Sequence, residues 1–177
     1  RDSVFKQELK DEYIITTVRL SLTKKNHIIN TSYGNIKESL DEMKVIEPTI
    51  DDVAKAVIRI RRSKLPDPKS LGNAGSFFKN PIVSQAETER LLDQYPNMPY
   101  YSIDDTFGKI PAGWLIEQAG FKGKKNGNVG MHKNQALVLV NYGNATGSTL
   151  WEHAKNVMAN VKEKFGIELE TEVNIIH

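Results

Sequence analysis

Two adjacent aromatics, delivered by a glycine-rich turn, restrict the folds open to this chain. In the segment GNAGSFFKNP, from Gly72 to Pro81, Phe77 and Phe78 fall on either side of an extended backbone, so both sides need packing partners. Gly72 and Gly75 permit positive φ and let the backbone approach a ligand closely. Ser76 lies between the turn and the aromatics, a hydroxyl held in a built site rather than on a surface loop.

The elements around this segment mix helices and strands without a strict βαβ rhythm, which predicts an α+β fold with small sheets. Residues 13–22 alternate as a half-buried strand, with Ile15, Val18, Leu20 and Leu22 among polar neighbours, and need partner strands from chain elsewhere. A weakly helical stretch follows around Ile36 to Met43. Thr49 and Asp52 form a capping pair for a helix over 50–63, which the Lys64-Leu65-Pro66 stop ends; Pro66 and Pro68 then extend the chain, marking a domain boundary. Ser84 and Glu87 box a helix running to Gln94. Pro111 opens another that carries Trp114, Leu115 and Gln118 to Gly120. Val138–Tyr142 reads as a buried strand. Thr149 and Glu152 begin an amphipathic helix with Leu150, Ala154, Val157, Met158, Val161 and Phe165 on one face and Gly166 closing it. Ile167 to Ile176 alternates as a final strand.

Charge and cysteine usage narrow the function classes. A net charge of +2 from 24 basic and 22 acidic residues makes no strong field, so neither nucleic acid nor a membrane surface is implied as partner. The run Arg59, Arg61, Arg62 and Lys64 splits around a helix and lacks interleaved aromatics. With no cysteine there is no disulfide or thiolate metal site, and the histidines lack metal-ligand spacing, so no metal is expected. No apolar run nears the roughly 20 residues of a membrane span. The first residues lack a signal-peptide core, so the chain reads as soluble. The chain begins without Met, as a fragment or an incompletely ordered chain would.

Ser76 lacks a Gly-x-Ser-x-Gly context, and His27, His132, His153 and His177 offer no triad partner by spacing, which argues against a serine hydrolase. Turn serines ordinarily bond nearby backbone. Beside that structural reading stands a chemical one, because an alcohol can protonate a base as strong as a carbanion. Glu168, Glu170 and Glu172 alternate and so share one face, ordinarily a solvated one. Lys64, Lys109 and Lys122 lie at element ends beside LPDP, IPAGW and GKK, where long cations can converge on a diphosphate, though lysines are also common on any surface.

The motifs RDSVFK, KLPDP, GNAGSFFKNP, AGWLIEQAGFKG, HKNQALVLVN and LETEV, in that order over nearly all 177 residues, resemble the C-terminal half of the UDP-N-acetylenolpyruvoylglucosamine reductases, flavin enzymes of peptidoglycan synthesis. The resemblance implies a cytoplasmic enzyme in which NADPH reduces FAD and hydride then passes to the enolpyruvyl ether of UDP-N-acetylglucosamine enolpyruvate, giving UDP-N-acetylmuramate. It implies that Ser76 protonates the carbanion or enol and that Glu172 stabilises or protonates it, although the family has proline where this chain has Thr171. It further implies that Lys64, Asn80, Tyr101, Lys109, Lys122 and Gln135 hold the UDP-sugar, and that Tyr100, Tyr101 and the flanking loop fold over bound substrate as in the tyrosine-loop subgroup.

The family's glycine-rich flavin-phosphate segment and its essential arginine are not in this sequence, so the resemblance implies an N-terminal half of the same protein as partner and as the main FAD holder. On that reading residues 1–63 are the tail of the FAD-binding domain, 64–166 the substrate-binding domain, and 167–177 a strand returning to the flavin part. The alternative is a sugar-nucleotide binding module without redox activity of its own.

Overall fold

Five helices and two small antiparallel sheets make up the protein in a computed structural model that describes residues 3–176. The fold is α+β, as the mixed pattern predicts. Arg1, Asp2 and His177 lie outside the described residues, and with them the start of the RDSVFK motif and the last histidine. The chain divides into two compact units, one ending at Val53 and the other beginning at Ala54.

Among its described residues the first unit holds a 3₁₀ turn, Val4–Lys6, capped by the Ser3 hydroxyl, and helix α1, Ile36–Glu42, with Ile36 and Leu40 buried. The strand expected over 13–22 does not form. That segment is irregular, and Ile15, Val18, Leu20 and Leu22 are 57–80% exposed. Alternation marks a face for burial, but a strand needs a ladder partner, and none pairs with it among the described residues.

Helix α2, Ile50–Lys64, starts where the capping pair predicts: the Thr49 hydroxyl accepts from the Asp52 amide at 3.3 Å and the Asp52 carboxylate accepts from the Thr49 amide at 3.0 Å. The division between the units falls inside this helix.

In the second unit, strand β1 (Gly72–Ser76) is followed by β2 (Ile82–Ser84), helix α3 (Gln85–Gln94), β3 (Tyr101–Ser102) and β4 (Phe107–Lys109). Helix α4 (Ala112–Gln118), β5 (Lys125–Asn126), β6 (Val129–Met131), β7 (Val138–Asn141) and helix α5 (Gly147–Phe165) complete it. One sheet has the order β1-β7-β6-β5 and the other β2-β4-β3.

Both predicted sides of the aromatic pair are covered, since Phe77 and Phe78 are 8% and 1% exposed and belong to a core with Leu91, Ile110, Leu115, Ile116 and the apolar face of α5. Tyr95, Trp114 and Phe165 pack ring on ring beside it, with centroids 5.3–5.8 Å apart. Arg90 locks α3 to this core. It forks onto the Glu87 carboxylate at 2.9 and 2.6 Å and also donates to the Phe165 carbonyl at 2.7 Å. The hydrogen bonds from Arg90 hold Glu87 below the usual carboxylate range.

Helix ends depart from the sequence reading where hydroxyls compete. The cap of α5 is Thr146, whose side chain accepts from the Thr149 amide at 3.2 Å, so the helix begins before the predicted Thr149. Pro111 serves as N-cap of α4 rather than its first turn, and Tyr142 falls outside β7. Among the described residues the final strand is reduced to one bridge, Phe78 to Thr171, yet its alternation survives: Ile167 and Leu169 are buried, and Glu168, Glu170 and Glu172 are exposed. No helix among the described residues is long and apolar enough to cross a membrane.

Candidate functional site

Ser76 is placed by a bulge. The pairing of β1 with β7 shifts register between Asn73 and Ser76, and within the shift Gly75 has φ +75° while its amide donates to Asn73 Oδ1 at 3.0 Å. Asn73 Nδ2 in turn holds the Leu71 carbonyl at 2.8 Å. A left-handed glycine and an asparagine turn let a strand take in an extra residue, and such a bulge re-aims the side chain that follows. Of the two glycines that permit positive φ, only Gly75 uses it; Gly72 sits beside Asn141 Cβ, 3.5 Å from where its own Cβ would be. Ser76 is exposed, and no hydrogen bond of its hydroxyl is found among the described residues.

Glu172 comes to the same strand through the backbone. Its amide donates to the Phe77 carbonyl at 2.8 Å, and the Lys79 amide donates to the Glu170 carbonyl at 2.9 Å. The three carboxylates of this segment differ in partners. Glu168 pairs with Lys162, whose hydrogen bond holds it below the usual range, and Glu170 pairs with Lys79 at 3.0 Å. No ion pair of Glu172 is found among the described residues.

A cavity of about 280 Å³ opens elsewhere in the second unit, between α4, the loop before β7, and residues Asn80 and Tyr101. Four expected substrate residues line it together: Asn80, Tyr101, Lys122 and Gln135. Asn80 is fixed by accepting from the Ala112 amide at 3.0 Å, and Gln135 by accepting from the Leu137 amide at 3.3 Å. Lys122 meets Glu117 at 2.8 Å. Lys109 is not in the lining but stands directly across the strand pair from Tyr101, with both side chains on one face of the sheet.

Lys64 is likewise outside the lining, at the end of α2, whose Ser63 carbonyl accepts from the cavity residue Asn134 at 3.0 Å. Ser76 and Glu172 do not line this cavity.

The cavity also contains residues that the sequence reading did not single out for binding. Gly113 and Glu117 are four apart on α4, one helical face, and a Cβ on Gly113 would stand 3.5 Å from Gln135 Oε1. The i, i+4 spacing inside AGWLIEQ was the available signal. Asn134 carries none, because its role depends on a carbonyl far away in sequence. His132, in the same loop, is buried; desolvation and then the neighbouring Lys133 hold its imidazole below the ordinary histidine value.

Fold and cavity together define the class: a small α+β domain with a cleft walled by amides, an ammonium and aromatic rings. Residues 67–176 match the family described as UDP-N-acetylenolpyruvoylglucosamine reductase, C-terminal domain. Across 99% of its length the chain is 58% identical to the UDP-N-acetylenolpyruvoylglucosamine reductase of Flavobacterium johnsoniae, covering 52% of that protein. It is 49% identical over 99% of its length to the reductases of the same name from Amoebophilus asiaticus and Chromobacterium violaceum, covering 52% and 51% of them. The chain belongs to the UDP-N-acetylenolpyruvoylglucosamine reductase family, and it spans about half the length of the curated relatives it matches.

Proposed function

We propose that this chain is the substrate-holding part of a flavin reductase that converts UDP-N-acetylglucosamine enolpyruvate to UDP-N-acetylmuramate at the expense of NADPH. The observation that carries this reading is the gathering of Asn80, Tyr101, Lys122 and Gln135 around one cleft. The donor set suits the substrate: an ammonium for diphosphate oxygens, amides for sugar hydroxyls, and an aromatic face for the base. Lys109, across from Tyr101, and Lys64, at the end of α2, would add cations from the rim. On this reading the substrate-binding domain covers 64–166, between the tail of the flavin domain and a returning C-terminal segment, and the protein works in the cytoplasm.

FAD, reduced by NADPH, would be held mainly by chain outside this sequence and would supply a hydride to one carbon of the enolpyruvyl double bond. The other carbon, next to the carboxylate, is left with the electron pair and takes its proton from Ser76 Oγ. A carbanion is basic enough for an alcohol to protonate, and an exposed hydroxyl at the end of a bulged strand is free to deliver it. Glu172, tied by its amide to the residue after Ser76, would stabilise or protonate the enol form.

The test is stopped-flow absorbance of the flavin in the full-length protein. Ser76→Ala is expected to leave flavin reduction by NADPH intact and to slow its reoxidation by the enolpyruvyl sugar nucleotide by at least about a hundredfold, the scale of a lost general acid. Unchanged reoxidation would remove Ser76 from the chemistry.

A further inference from the structure

The ion pair in the cleft wall adds a residue to this picture, and the inference rests on the reading just given. Glu117 lies near the end of α4; Gly120 then turns the chain at φ +81°, and the Phe121 amide returns to the Ile116 carbonyl at 3.1 Å. That reversal brings Lys122 back beside the helix it has just left, where Nζ donates to Glu117 Oε1 at 2.8 Å. A bridge from Lys122 to Met131 fixes the lysine backbone from the other side. Both side chains line the cleft and remain 34% and 45% exposed.

A carboxylate in the wall of an anion site repels the ligand unless it has a compensating task. An exposed pair contributes little to stability, on the order of 0–1 kcal/mol, so holding the fold together does not account for it. A lysine ammonium has three donors on a stem that costs entropy to hold still. One donor on Glu117 leaves two for a ligand and removes most of that freedom before the ligand arrives. We infer that Glu117 is a positioning residue, holding the Lys122 ammonium against α4 so that its remaining donors meet phosphate oxygens in the cleft.

The experiment is calorimetric titration of the full-length protein with uridine diphosphate, together with kcat and KM for the enolpyruvyl sugar nucleotide. Glu117→Ala is expected to weaken uridine diphosphate binding and raise KM by about two- to fivefold, the worth of one such pair, with kcat within about twofold of wild type. Glu117→Gln, which keeps an acceptor oxygen, should lose less. In a Lys122→Ala background, Glu117→Ala should change nothing further, a coupling that a merely structural glutamate would not show. Unchanged or tighter binding in Glu117→Ala, an undiminished effect without Lys122, or no uridine diphosphate binding by the wild type would each overturn the inference. A wild type that binds uridine diphosphate but does not turn over the sugar nucleotide leaves this test intact and sinks the proposed reaction instead.

Discussion

Thr171 faces Phe78 as a non-hydrogen-bonded pair: the bonds that close their bridge run from the Lys79 amide to the Glu170 carbonyl and from the Glu172 amide to the Phe77 carbonyl. The Thr171 amide therefore takes no part in the contact that brings Glu172 next to the Ser76 strand. This bears on Thr171, the position at which the resemblance implies a proline.

Proline at such a position removes no ladder bond and narrows the unfolded ensemble. Thr171→Pro should leave catalysis within about twofold of wild type and raise stability by roughly 0.5 kcal/mol, read from urea midpoints of the full-length protein. A loss of stability would mean that the backbone there does not accept the proline φ.

Gly75 carries the bulge, so its substitution separates backbone geometry from side-chain chemistry. Apart from its own chain neighbours, no atom of the described residues lies within 4 Å of the place its Cβ would occupy, and its φ is +75°. The cost of Gly75→Ala is then conformational, about 1–2 kcal/mol. A lower melting temperature with reduced turnover is expected, because relaxing the bulge moves Ser76. Full stability in this variant would show that the strand does not need the left-handed residue.

Asn80 joins fold and cleft in one side chain. Its Oδ1 receives the first amide of α4 at 3.0 Å, and the residue also lines the cavity. Asn80→Asp keeps that acceptor and places a negative charge near a helix N-terminus, which is neutral to mildly stabilising. The same charge opposes a diphosphate. The expected result is an unchanged melting temperature with uridine diphosphate affinity reduced by tenfold or more, about 1.4 kcal/mol. Equal affinity would place the ligand away from Asn80.

What could be read from the sequence was what local chemistry decides. Caps at Thr49 and Ser84 and the left-handed stop at Gly166 need only neighbouring residues, and they are where the pattern put them. Thr146 and Thr149 are both able to cap; their hydroxyls lie 2.9 Å apart, and only packing of the following helix decides between them. Strand pairing is non-local. The alternation of 13–22 and of 167–176 was legible, whereas the lack of a ladder in the first and the one bridge in the second, among the described residues, were not. Asn80, Tyr101 and Gln135, which meet at the cleft, were singled out by motif resemblance and not by spacing. Glu117 and Asn134 escaped because one was masked by helix periodicity and the other acts on the Ser63 carbonyl across the fold.

His153 gives the protein an acid-sensitive point. It is 5% exposed, its ring edge-on to Phe121 at 6.1 Å, and neither ring nitrogen has a hydrogen-bond partner among the described residues. Burial first, and the Lys124 ammonium second, hold its imidazole below the ordinary histidine value. The native state thus resists a proton that the unfolded chain accepts once pH falls to about 6.5. Below that point the unfolded state binds more protons, so stability rises with pH through this window and is lost as pH falls. His132, depressed for the same first reason, contributes in the same direction. Replacing the orphaned ring by an apolar side chain removes both the unmet hydrogen bonds and one titrating group. His153→Leu should stabilise the full-length protein by about 1 kcal/mol at pH 7. Its advantage over wild type should widen as melting is repeated at pH 6 and pH 5; melting temperatures that fall in parallel would show that His153 is not the group that titrates.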